Sequence, residues 1–181
     1  MELTKHKHYK GSWMQKGFTI IELLIVIVVI GILASIGIVS YNGFQGRAQD
    51  ASVQSDLEAI GGELESYRTR DPATNPTQRF PTDSTQLATL EIQAAKNSYN
   101  TTIPYNMIYC VATTGTDAYQ AYKLVAMSKS GTIFLINQDG FQSHTLTASN
   151  LTATFCADQG MTLGSNGMTS GPTWSSWVRT G

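Results

Sequence analysis

A long apolar segment stands out near the start of the chain. Between Phe18 and Val39 the only charged residue is Glu22. As a helix, these residues would extend roughly 33 Å, which is enough to cross the hydrocarbon core of a bilayer. The pattern therefore predicts a transmembrane helix. A cleaved secretion signal is the alternative, because Ser35-Ile36-Gly37 offers small residues to a peptidase, although such signals have apolar stretches of only about 7 to 15 residues.

A second helical pattern follows without a break. Apolar residues recur at alternating steps of four and three, which is the stripe of an amphipathic helix. The stripe consists of Val53, Leu57, Ile60, Leu64 and Tyr67. No proline lies between Tyr41 and Tyr67. We therefore expect one continuous helix from Phe18 to about Thr69, ended by Pro72.

A polar connection comes after this helix. Residues 71–83 are rich in Pro, Thr and Asn, which disfavours regular structure. Thr82 or Asp83 is predicted to cap a short helix, since both residue types accept hydrogen bonds from the first N–H groups of a helix. That helix would carry three apolar residues, Leu87, Leu90 and Ala94.

From Ile103 onward the pattern changes to that of strands. Residues 107–113, 119–127 and 132–136 are rich in β-branched and aromatic residues, and residues 128–131 read as a hairpin turn. These runs predict a small antiparallel sheet, one face of which covers the apolar stripe. The tail from Gly160 is predicted to be loop and edge strand. The predicted fold class is α+β.

Charge divides the chain at the start of the apolar segment. The chain has twelve Lys and Arg against thirteen Asp and Glu, and four of the lysines precede Gly17. This basic flank predicts a cytoplasmic N-terminus, with everything after the helix outside. The remaining cations are scattered along the sequence, which argues against nucleic acid as a partner.

Glu22 is the unusual residue of the apolar segment. An ionised side chain at membrane depth costs roughly 2.5 to 3.5 kcal/mol on insertion scales. The apolar segment itself contains no opposite charge. Glu22 therefore needs a partner that the segment itself does not supply, which points beyond a simple membrane anchor.

The polar part of the chain offers little chemistry of its own. Cys110 and Cys156 are the only cysteines, and outside the cytoplasm such a pair favours a disulfide, with free thiols or pairing between chains as alternatives. His144 is the sole histidine after the basic flank, too few groups for a catalytic site. Asp139 precedes Gly140 and indicates a turn rather than a calcium site. We expect neither enzymatic activity nor a cofactor.

At the apolar segment the chain resembles a known family. Residues 15–26 read Gln-Lys-Gly-Phe-Thr-Ile-Ile-Glu-Leu-Leu-Ile-Val, and the likeness continues through 30–34 and 41–49. This stretch is similar to the class III signal and first helix of type IV prepilins and type II secretion pseudopilins. The chain departs from many pilins at Val39, where they have a helix-kinking proline.

The resemblance implies a processing site and an assembly contact. A prepilin peptidase on the cytoplasmic side would cleave between Gly17 and Phe18, and the new amine of Phe18 would be methylated. In pilins the carboxylate equivalent to Glu22 meets the N-terminal amine of a neighbouring subunit. Because Val39 replaces the proline, any local melting of the helix during assembly would have to use Gly37, Gly43 or Gly46.

The resemblance also implies an organisation and a function. Residues 1–17 would be the leader, 18–40 the transmembrane and filament-core half of the helix, 41–71 the half that packs on the head, and 72–181 the head. The expected function is a structural subunit of an extracellular filament, used for adhesion, motility or surface attachment. The alternative is a pseudopilin or minor pilin of a type II secretion or DNA-uptake machine. Its partners would be other pilins, the peptidase and methylase, inner-membrane assembly proteins and membrane lipid.

Overall fold

The computed structural model describes residues 17–70, 77–103, 105–116, 118–142, 145–170 and 173–180, without the side chains of 37–42, 162–170 and 180. The predicted leader up to residue 16, Pro72 and His144 lie outside the described residues. The chain divides into two compact units, one ending at Tyr41 and the other beginning at Asn42.

A single long helix, α1, runs over Ile20–Arg68. It is followed by Thr69, whose hydroxyl donates a hydrogen bond of 3.0 Å to the carbonyl of Glu65 in the last turn. The predicted continuity from the apolar segment into the amphipathic stripe is confirmed. Within the described part of the chain, no helix is both long and apolar enough to cross a membrane.

The second unit contains a five-stranded antiparallel sheet in the order β5-β4-β3-β2-β6. The sheet strands are β2 (Tyr105–Val111), β3 (Tyr122–Met127), β4 (Ile133–Asn137), β5 (Gly140–Phe141) and β6 (Thr162–Ser170). A separate parallel pair joins β1 (Gln93–Ala94) to β7 (Arg179–Thr180). The α+β prediction, with a helix on a small antiparallel sheet, is confirmed.

Short helices connect these strands. They are α2 (Ser84–Ala88), α3 (Phe155–Asp158) and two 3-10 turns, Lys96–Ser98 and Ala148–Asn150. Asp83 caps α2 by accepting a 2.9 Å hydrogen bond from the backbone of Gln86, as predicted. The predicted extent of α2 was wrong, because Leu90 follows the helix and Ala94 belongs to β1.

The core lies on both faces of the sheet. Four stripe residues of α1 are buried against the first face, namely Val53, Leu57, Ile60 and Leu64, and Tyr67 is partly buried beside them. Alternate strand residues point the other way, as the two-residue period of a strand requires, and form a smaller cluster with Leu151 and Phe155. The tail from Gly160 contains the edge strand β6, as predicted, and it also contributes to the core, since Trp177 is 1% exposed in the first cluster.

Candidate functional site

Thr19 and Glu22 cap the N-terminus of α1. The backbone N–H and the hydroxyl of Thr19 both donate to Oε2 of Glu22, at 2.8 and 2.7 Å. The backbone N–H of Glu22 donates back to Oγ1 of Thr19 at 3.3 Å. This reciprocal arrangement is a capping box, which satisfies N–H groups that have no partner inside the helix.

The capping box corrects one expectation. Glu22 was predicted to lack a partner within its own segment, but Thr19 supplies one three residues earlier. The signal was present in the sequence, because Thr-x-x-Glu before an apolar run is the usual pattern of a capping box. The expectation considered only charged partners for Glu22, whereas Thr19 is a neutral hydrogen-bond donor.

The helix after this cap presents apolar side chains outward. From Ile20 to Ile36 its large apolar residues are between 46% and 88% exposed, and Phe18 is 90% exposed. Contiguous apolar surface of this extent is rare on soluble monomers and marks a surface for protein or membrane interaction. A side chain at Gly17 would meet no atom within 4 Å, so the fold itself does not require glycine there.

A disulfide joins Cys110 and Cys156 in the second unit. It links β2 to α3, with Cα atoms 5.4 Å apart and a sequence separation of 46. Both cysteines are buried in the smaller core cluster. Closing a loop of this size stabilises a fold by about 4 kcal/mol in the chain-entropy model.

Asp50 connects α1 to the β3–β4 hairpin. Its carboxylate accepts hydrogen bonds from the hydroxyls of Ser128 and Ser130 at 2.5 Å and of Thr132 at 3.1 Å. Ser128 is fully buried, so its hydroxyl depends on a protein partner. Sequence analysis missed this connection, since about 80 residues separate the partners and no local pattern joins them.

Asp56 makes a second connection from the same helix. Its Oδ2 accepts from the backbone N–H of Ala95 at 2.8 Å and from the hydroxyl of Tyr99 at 3.0 Å. Burial raises the pKa of Asp56 above its ordinary value, and the two hydrogen bonds offset part of that effect. Burial also raises the pKa of Tyr99, which keeps this hydroxyl a donor.

The β4–β5 connection is the turn predicted around Asp139. Its backbone N–H donates to Oδ1 of Asn137 at 2.8 Å, and Gly140 takes a φ of +101°, which favours glycine. Among the described residues, no three His, Cys, Asp or Glu side chains come together as a possible metal site.

Known proteins resemble the first part of this chain. A family model described as the prokaryotic N-terminal methylation motif matches residues 14–38. The type II secretion system core protein G of Klebsiella pneumoniae is 36% identical over 76 residues, or 42% of this chain and 50% of that protein. A fimbrial protein of Pseudomonas aeruginosa is 46% identical over 52 residues, which are 29% of this chain and 34% of that protein. No solved structure gave a significant match.

A third relative extends the fimbrial side of the comparison. The type IV major fimbrial protein of Dichelobacter nodosus is 51% identical over 43 residues, which are 24% of this chain and 28% of that protein. The chain thus spans half or less of the length of these curated relatives. The methylation motif and relatives of both kinds show that the first part of this chain is similar to type IV pilins and type II secretion pseudopilins.

Proposed function

We propose that this chain is a structural subunit of an extracellular filament that serves adhesion, motility or surface attachment. The observation that carries the proposal is the position of the methylation motif. It covers the helix whose apolar side chains are exposed, where a membrane or neighbouring helices would cover them. The fimbrial relatives agree with this function.

The proposed processing removes residues 1–17. A prepilin peptidase would cut between Gly17 and Phe18 on the cytoplasmic side, and a methylase would act on the amine of Phe18. A side chain at Gly17 would meet no atom of the described residues within 4 Å, so the glycine is better explained by the narrow cleft of a peptidase. The exposed ring of Phe18 leaves the cleavage position accessible.

The proposed organisation follows the sequence pattern. Before assembly, residues 18–40 would anchor the subunit in the inner membrane, and 41–71 would continue the helix onto the head formed by 72–181. During assembly the anchor would leave the lipid and join the filament core. Other copies of this chain or related pilins, together with inner-membrane assembly proteins, would be its partners.

Glu22 is the proposed assembly contact. Both hydrogen bonds from Thr19 reach Oε2, and within the described residues no hydrogen bond reaches Oε1. The carboxylate can therefore accept the hydrogen bonds of Thr19 with Oε2 and, at the same time, a hydrogen bond from the amine of a neighbour's Phe18 with Oε1. At low dielectric the attraction between these charges can offset their loss of water.

Three variants test this contact. Glu22→Ala removes the cap and the charge, whereas Glu22→Gln keeps an oxygen for Thr19 and removes only the charge. Glu58→Ala removes an exposed carboxylate from the same helix and is the matched control. We expect normal cleavage in all three and loss of surface filaments in both Glu22 variants, scored by electron microscopy and mass spectrometry of the mature N-terminus. Normal filaments from Glu22→Gln would refute the charge pairing.

A pseudopilin is the second candidate. Of the alignments above, the one with the secretion protein G is the longest, 76 residues against 52 and 43. Mass spectrometry of sheared surface filaments separates the two functions. A dominant species that begins with methylated Phe18 would support the filament subunit, and its absence from filaments would favour the secretion machine or a minor pilin.

A further inference from the structure

A polar depression opens on the sheet face that carries the disulfide. It consists of two adjoining hollows of about 330 and 470 Å³, which share Lys123, Asn137 and Gln159. Lys123 pairs across the strands with Cys110 on one side and Asn137 on the other. Directly paired residues project from the same face, so the lysine lies at the polar end of the smaller core cluster.

Within the described part of the chain, the charge of Lys123 is in contact with a neutral amide rather than in an ion pair. Its side chain is half-buried, and its Nζ donates to Oε1 of Gln159 at 3.0 Å. Arg68 with Glu65 and Arg179 with Glu91 form ion pairs among the described residues, and neither pair includes Lys123. A partly desolvated ammonium whose protein partner is a neutral amide favours the binding of an anionic ligand.

The surroundings of Lys123 are suited to hydroxyl groups as well. Gln159 uses its oxygen for the lysine, and its Nε2 donates to no described protein atom, so it can donate to a ligand. Gln142 is held against Asn137 by a 3.0 Å hydrogen bond, which fixes two more amides at the wall. Amide and hydroxyl side chains that surround a cation can donate to and accept from vicinal hydroxyls.

We propose that this depression binds an acidic saccharide, with its carboxylate on Lys123 and its hydroxyls on the neighbouring amides. The combined volume is that of a small-molecule site, and its polar lining argues against an apolar ligand. The proposal goes beyond filament assembly, because it concerns the head of a single subunit. If the protein binds no saccharide, the proposed role of Glu22 in assembly is unaffected. If Glu22 has no role in assembly, the proposed saccharide site is likewise unaffected.

Calorimetry on the full-length protein in detergent micelles tests the site. The probes are a trimer of galacturonic acid, the neutral galactose trimer of the same linkage, and inorganic phosphate. We expect the acidic trimer to bind at least about tenfold more tightly than the neutral trimer, the factor expected of one charge-assisted hydrogen bond. We expect phosphate to compete weakly, because it lacks the hydroxyl pattern.

Two variants and a control identify the residues involved. Lys123→Gln removes the charge, and Gln159→Glu places an internal carboxylate against the lysine. Each should weaken the acidic trimer about tenfold while leaving thermal unfolding unchanged. Lys129→Gln makes the same charge change at the exposed hairpin turn, outside the depression, and should alter affinity less than about twofold.

Several results would overturn the proposal. Equal binding of the acidic and neutral trimers would remove the role of the charge, and equal competition by phosphate would reduce the site to a simple anion site. Parallel losses in Lys123→Gln and Lys129→Gln would mean that only the surface charge matters. Absence of binding by the wild-type protein would refute the site altogether.

Discussion

Gly61 allows α1 to lie close against the sheet, and this position gives a sharp test of the packing. A Cβ added at Gly61 would lie 3.0 Å from Oη of Tyr122 and 3.3 Å from Cδ1 of Ile136. The neighbouring Gly62 is exposed, and a Cβ there would meet no atom within 4 Å. The two glycines therefore share a helical backbone, but Gly61 is buried against the sheet and Gly62 is exposed.

The structure predicts opposite consequences for Gly61→Ala and Gly62→Ala. Alanine favours a helix over glycine by about 1 kcal/mol at either position. At Gly62 nothing opposes this gain, so the free energy of unfolding should rise by about 1 kcal/mol. At Gly61 overpacking costs about 1 to 3 kcal/mol, which cancels or exceeds the gain. The difference between the two variants should thus be about 1 to 3 kcal/mol.

Urea unfolding of the full-length protein in detergent micelles, followed by the fluorescence of buried Trp177, measures this difference. Tyr122→Phe removes the atom nearest to the new methyl group, so it should recover part of the loss in Gly61→Ala. In Gly62→Ala the same change should have only the effect that it has in the wild type. If Gly61→Ala is as stable as Gly62→Ala, the helix does not pack on the sheet as closely as described.

The regular elements of the fold were predictable because their signals are local. Burial of only one helix face produces the stripe from Val53 to Leu64, and the four buried positions follow it residue by residue. The runs that became β3 and β4 are apolar and β-branched, with a turn of the expected composition between them. In both cases the side chains within a few positions decide the structure.

Other parts were not predictable, since they depend on distant partners. The two-residue strand β1 exists because Gln93 lies opposite Arg179, far away in the chain. Tyr119 was predicted to begin a strand, yet it has a φ of +66° and the strand starts only at Tyr122. Neither feature leaves a pattern in its own neighbourhood.

The candidate sites divide in the same way. The processing motif occupies consecutive residues, so Gly17, Phe18 and Glu22 could be singled out from the sequence. The depression around Lys123 combines strands with the turn after α3, where Gln159 lies 36 positions from the lysine. A lysine without other cations near it in the sequence can thus lie in a polar site, and only the fold reveals its surroundings.

Two aspartates of α1 give the remaining predictions. Asp50→Ala leaves the buried hydroxyl of Ser128 without its carboxylate acceptor and should lower the free energy of unfolding by about 2 to 3 kcal/mol in the urea assay, with Asp50→Asn intermediate. A loss below about 0.5 kcal/mol would show that the hydroxyls find other acceptors. For Asp56, burial raises the folded-state pKa above the ordinary 3.8, so the unfolded chain loses this proton first as the pH rises. The stability that Asp56 contributes is therefore complete below 3.8 and is lost as the pH rises through the raised value, while Tyr99 remains protonated throughout. The free energy of unfolding of the wild type relative to Asp56→Asn should fall over this acid range, and parallel pH profiles would contradict the assigned burial of the carboxyl.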